Sequence, residues 1–159
     1  MPTREQFTQL AQLHMDSIFR LAFSSLKSRA DADDVTQTVL LRLWEREQPF
    51  ESDDHLRYWL VRVTLNECKK HWRSPWRRTE DFAQYAATLA FDQPHDSEVF
   101  DAVMALDKKY RVVVFLHYYE GYSIAEIARL LSIPAGTVGT RLARARGKLK
   151  LILSEEELT

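Results

Sequence analysis

A chain of 159 residues with a hydrophobic share of 45% can fill one ordinary core or two small ones, which excludes disorder throughout. With only Gly 4 and Pro 5, and no strongly alternating β-branched runs, a sandwich, a barrel and a Gly-rich nucleotide-binding α/β domain are disfavoured and an all-α protein is expected. The net charge of −1 conceals two basic segments: residues 57–78 carry seven basic side chains against one acid, and residues 129–150 carry six against none.

Two basic segments in an otherwise acidic chain fit a protein that touches a polyanion at two places. The single cysteine, Cys68, cannot close an intramolecular disulfide. No apolar run approaches the roughly 20 residues of a membrane span, and the N-terminus has no apolar leader, so no membrane insertion and a cytoplasmic setting are expected.

Along the chain, Phe7, Leu10, Ala11, Ile18, Leu21 and Ala22 recur at helical spacing and predict a long amphipathic helix over residues 5–26. A second helix starts near Asp31, Asp33 and Asp34, carboxylates that favour the positive end of a helix dipole, and closes at Trp44. Residues 48–54, holding Pro49, read as a loop, and a third helix is expected over 55–72. Its apolar residues fall into two stripes, Leu56, Trp59, Leu60, Val63 and Tyr58, Val61, Leu65, Cys68, Trp72. Between them run Arg62, Asn66, Lys69 and Arg73, a cationic strip beside aromatic rings that suits phosphate contact and stacking of unpaired bases.

Ser74 and Pro75 mark a helix end and the start of a linker running to about Pro94, within which Phe82, Tyr85, Ala86 and Leu89 suggest a short helix. Residues 97–153 form a second helical unit, with Val99, Val103, Leu106, Val113, Val114 and Tyr118 as its apolar pattern. Ser123 and Glu126 make a capping box, so a helix opens there and buries Ile124, Ile127, Ala128 and Leu131. After the turn Ser132-Ile133-Pro134, a further helix buries Val138, Leu142, Ala145 and Leu149 and presents Thr137, Arg141, Arg144 and Lys148 on the opposite side. Together they form a helix-turn-helix with a basic outer face.

Several stretches carry a family resemblance. Residues 31–44 (DADDVTQTVLLRLW), residues 55–62 (HLRYWLVR) continuing to Asn66, residues 109–123, and the run from Gly136-Thr137-Val138 to Arg146 resemble the bacterial sigma factors of RNA polymerase, in particular the small extracytoplasmic-function group. The resemblance covers nearly the whole chain. It implies two all-α domains: 1–74 for polymerase clamp binding and minus-ten recognition and melting, and 97–153 for minus-thirty-five recognition. A linker at 75–96 and an acidic tail at 154–159 complete the chain. It further implies clamp contacts at Asp34, Gln37 and Thr38, Thr38 standing where the family usually has an acid.

Minus-ten recognition would fall to the loop residues Gln48, Phe50, Glu51, Ser52 and Asp53, pocketing a flipped base, and to Arg62, Asn66, Lys69, Lys70 and Arg73. Minus-thirty-five recognition would fall to Gly136, Thr137, Thr140, Arg141 and Arg144, with Arg129 and Lys148 on phosphates. Gly139 stands where a basic residue is common, and Gly139 and Gly147 lower the helix propensity of that segment. The implied partners are core RNA polymerase, through its beta-prime clamp and beta flap, promoter DNA, and an anti-sigma factor.

No cofactor is implied. Cys68 and His71 lack a second ligand pair for a metal, and Asp33 and Asp34 diverge on a helix, so neither metal nor catalytic residues are assigned. The competing reading is a helix-turn-helix regulator binding DNA as a dimer. It leaves the first basic helix, with Tyr58, Trp59 and Trp72, without a purpose, whereas a promoter-opening factor needs one.

Overall fold

The computed structural model describes residues 2–72 and 94–158, all helix and connecting turns. Contacts divide the chain into two units, Met1–Thr79 and Glu80–Thr159. Arg73, most of the expected linker and its short helix lie outside the described residues.

The first unit packs α1 (Arg4–Leu26), α2 (Arg29–Glu45) and α3 (Asp53–Trp72) pairwise against one another. Thr3 and Gln6 form a capping box at the start of α1, a signal in the sequence that places the helix one residue ahead of the expected start. Lys27 adopts a left-handed conformation, φ 54°, and donates its backbone N–H to the Phe23 carbonyl. Ser28 then caps α2 by accepting from the Asp31 N–H at 3.2 Å, so the chain reverses within two residues. Phe23, Leu21, Leu26, Val35, Val39 and Leu43 are fully enclosed and form the centre of this core.

Helix α3 begins two residues before its expected start because Ser52 caps it, its hydroxyl accepting from the His55 N–H at 3.0 Å. Asp53 therefore stands in the first helical turn rather than in the loop. The two expected apolar stripes are one broad buried face. Thr64 joins them: its hydroxyl donates to the Leu60 carbonyl at 2.7 Å, which lets a polar side chain sit fully buried between Leu60 and Cys68.

The second unit contains α4 (Pro94–Met104), α5 (Lys108–Val114), a π-helical turn (Phe115–Tyr119), α6 (Ile124–Leu131) and α7 (Ala135–Leu158). Val103, Leu106, Tyr110 and Val114 pack on Ala145, with Leu149 and Ile152 alongside. Val99 and Tyr118, expected in the core, are exposed. For Tyr118 the π turn is the cause: its wider winding shifts the helical phase and turns the ring outward. Gly121, φ 77°, then admits the reversal into α6. The Ser123–Glu126 capping box is present, with bonds of 3.0 and 3.1 Å. Ile127 and Leu130 supply the buried face of α6, while Ile124, in its first turn, is exposed.

Candidate nucleic-acid interface

Three surfaces gather the residues singled out by sequence. On α2, Asp34 and Gln37 are exposed and Thr38 is half-buried, within one turn of each other. Leu41, a turn further on, is also exposed and extends this face with an apolar side chain that sequence reasoning did not single out.

On α3, Asn66 and Lys69 are exposed and Arg62 is half-buried, on the side away from the buried face. Lys70 stands at the edge of that strip, where its ammonium contacts Glu67 at 3.1 Å. Glu67 is itself buried and pairs with Arg42 of α2 at 2.6 Å, so the helix carrying the strip is bolted to the helix carrying Asp34. Trp72 is 39% exposed, and its indole N–H is anchored, donating to the Ser25 carbonyl at 3.1 Å.

The loop between α2 and α3 is internally organised. Phe50 packs edge-on against His55 at 5.3 Å and Trp59 at 5.4 Å, and the Arg46 guanidinium lies 4.2 Å from the Phe50 ring centre. Arg46 also donates from Nε to the Gln48 carbonyl, and Glu51 donates its N–H to His55 Nδ1. Phe50 is thus a half-buried anchor, while Gln48, Glu51 and Ser52 remain exposed around it. Beside the loop, Gln6 and Leu10 of α1, Leu43, Arg46, Gln48 and Phe50 border an open cleft of about 200 Å³. Arg46 was missed by sequence reasoning; its spacing from Phe50 carries no helical or strand period that would have signalled the contact.

In the second unit, α6, the turn at Ser132 (left-handed, φ 58°) and α7 form the helix-turn-helix. Pro134 opens α7, its carbonyl accepting from Thr137 and Val138. Val138, Leu142 and Ala145 are buried; Gly136, Thr140, Arg144 and Lys148 are exposed, as is Arg129 of α6. Thr137 and Arg141 are half-buried, which corrects their expected place opposite the core. At 3.6 residues per turn, the strip 137, 141, 144, 148 is centred about 100° from the core stripe, so it runs along a flank of α7. Arg146 lies toward the other flank and donates to the Tyr118 hydroxyl at 2.9 Å. Helix α7 is continuous through Gly139 and Gly147.

The first unit matches the sigma-70 region 2 family model over residues 10–78, and the second matches the sigma-70 region 4 model over residues 97–149. The ECF RNA polymerase sigma factor SigM of Mycobacterium tuberculosis is 33% identical over 154 residues, spanning 94% of this chain and 78% of that protein. The chain belongs to the extracytoplasmic-function sigma factor family. SigW of Bacillus subtilis is 26% identical over 165 residues, with 92% and 88% of the two chains covered.

Among solved structures, CnrH in complex with the cytosolic domain of CnrY is 29% identical, at a TM-score of 0.69 over 96% of this chain and 90% of that one. The sigma factor RpoE of Bartonella quintana, solved with the anti-sigma factor NepR, has the same fold at 22% identity, a TM-score of 0.72 and coverage of 93% and 96%. As a member of this sigma factor family, the protein recognises promoters for RNA polymerase, and its partners are core polymerase and promoter DNA. Sigma factors are non-enzymatic initiation factors. The match of both units to sigma regions disfavours the dimeric regulator reading. Among the described residues, no helix is long and apolar enough to cross a membrane.

Proposed function

We propose that the labour of initiation is divided among these three surfaces. Asp34, Gln37 and Thr38 of α2 bind the polymerase clamp. Residues 1–74 act as the minus-ten domain, with Arg62, Asn66, Lys69, Lys70 and Arg73 along the phosphate backbone and Gln48, Phe50, Glu51, Ser52 and Asp53 setting base preference. Residues 97–153 act as the minus-thirty-five domain, joined to the first by a linker at 75–96 and followed by an acidic tail at 154–159.

The observation that carries this reading is the coincidence of an acid-free basic flank with a capped helix-turn-helix in one unit, and of a second cationic strip in the other. Arginine can pair two hydrogen bonds with guanine, and threonine can offer its hydroxyl or pack its methyl on thymine, so Thr137, Thr140, Arg141 and Arg144, along the flank of α7, read bases. In the first unit, the packed Phe50 supports the loop wall, and the cleft beside it receives a flipped base that the exposed Gln48 contacts. The protein acts in the cytoplasm and performs no chemistry of its own; the polymerase transfers nucleotides. An anti-sigma factor covers its polymerase-binding surfaces. The family resemblance supports that partner, and the relative CnrH was solved with a protein bound to it.

Exchanging residues 48–54 for the corresponding residues of a relative tests the assignment at minus ten. The selected minus-ten sequence should change while the minus-thirty-five preference stays; an unchanged preference with lower activity would move specificity elsewhere.

A further inference from the structure

Tyr110, at the start of α5, is 6% exposed, yet two ammonium groups from different helices converge on its ring. Lys109 Nζ lies 5.2 Å from the ring centre and Lys148 Nζ of α7 lies 5.6 Å from it. Neither lysine has a carboxylate partner among the described residues. An aromatic face holds a cation without neutralising it, and two nitrogens at 5.2 and 5.6 Å from one ring centre stand at most about 11 Å apart, roughly a Debye length at 0.1 M salt. Like charges brought together repel, and an anion placed against both relieves that repulsion.

Charge complementarity calls for an anionic occupant, and continuity identifies it. Lys148 is the last member of the flank strip that begins at Thr137, so the patch prolongs that strip onto a neighbouring helix. We infer that Lys109 and Lys148, splayed by Tyr110, form an ammonium clamp on neighbouring backbone phosphates at the edge of the minus-thirty-five element. The clamp rests on the reading of α7 as the minus-thirty-five helix and extends it to a residue outside the helix-turn-helix. It fixes the position of the domain on the duplex and carries no base preference.

The test uses the full chain assembled with core RNA polymerase and, as probe, a promoter selected from a randomised library, with affinity measured against salt. Lys109→Gln should lower the slope of log affinity on log salt by about one, so that its loss of affinity from 50 to 200 mM salt is about three- to fourfold smaller than the parent's. Lys109→Arg should restore the slope, and Lys109→Gln/Lys148→Gln should lower it by about two. Base preference should be unchanged in all three. A parental slope in Lys109→Gln, alongside altered preference in Arg141→Ala, overturns the clamp and leaves the reading of α7 standing. Unaltered preference in Arg141→Ala overturns both. Weaker assembly of Lys109→Gln with core polymerase in the absence of DNA identifies a protein contact instead and overturns the clamp.

Discussion

At the scale of single residues, burial and pairing separate side chains that look alike in sequence. Glu67 is the one acid in the first basic segment, and the structure shows its use: it is buried and holds Arg42 and Lys70. Glu67→Gln should cost about 1–3 kcal/mol in urea unfolding, the scale of a lost charge-assisted hydrogen bond. Arg42→Gln should cost a similar amount, because it leaves a buried carboxylate with Lys70 as its remaining ion pair. Asp101 shows the opposite situation. Its Oδ1 is buried with no hydrogen-bond partner among the described residues, it lies in the last turn of α4 where the dipole disfavours anions, and desolvation raises its pKa above 3.8. A carboxyl whose folded pKa is raised lowers stability as pH climbs from 3.8 through the folded value, above which the loss is complete and constant. Asp101→Asn should therefore stabilise the protein at pH 7 and lose that advantage below the unfolded pKa, as denaturant titrations at the two ends of the range will show. A larger gain in acid would contradict it.

At the scale of elements, the period and caps of the helices were legible in the sequence because they are local. Ser123 and Glu126 announce α6, and Val138, Leu142 and Ala145 announce the buried stripe of α7, all from spacings of three and four. The π turn was not legible, since Phe115–Tyr119 carries no residue that forbids ordinary winding; its phase shift is seen only in the outward Tyr118 and its bond to Arg146. The loop cluster of Arg46, Phe50 and Trp59, the anchoring of the Trp72 indole N–H, and the pairing of Lys148 with Tyr110 were equally hidden, because each joins segments with no common period. Glycine in α7 gives a direct test at this scale. A Cβ at Gly139 or Gly147 meets nothing within 4 Å, so Gly→Ala at either should stabilise by up to about 1 kcal/mol, read as a higher Tm. At Gly121, φ 77°, the same change should destabilise by about 1 kcal/mol or more.

At the scale of the whole molecule, the two units answer different needs of one task. The first presents the exposed Asp34 and Gln37 of α2 and a cationic strip on α3, the two helices joined by the Arg42–Glu67 pair, and the second presents a helix-turn-helix with its basic flank. That there are two helical units was legible because Pro75 cannot continue a helix and a separate apolar pattern, Val103, Leu106, Val113 and Val114, follows it; the expected boundary itself lies outside the described residues. The central proposal, that Asp34, Gln37 and Thr38 of α2 bind polymerase while the other two surfaces read DNA, is tested most directly by measuring core RNA polymerase binding of Asp34→Lys against the parent, with Arg141→Ala as companion. Asp34→Lys should weaken core binding by about 1–3 kcal/mol and lower promoter-dependent transcription in proportion, while Arg141→Ala should bind core like the parent and shift only promoter preference. Parental core affinity in Asp34→Lys would contradict the account.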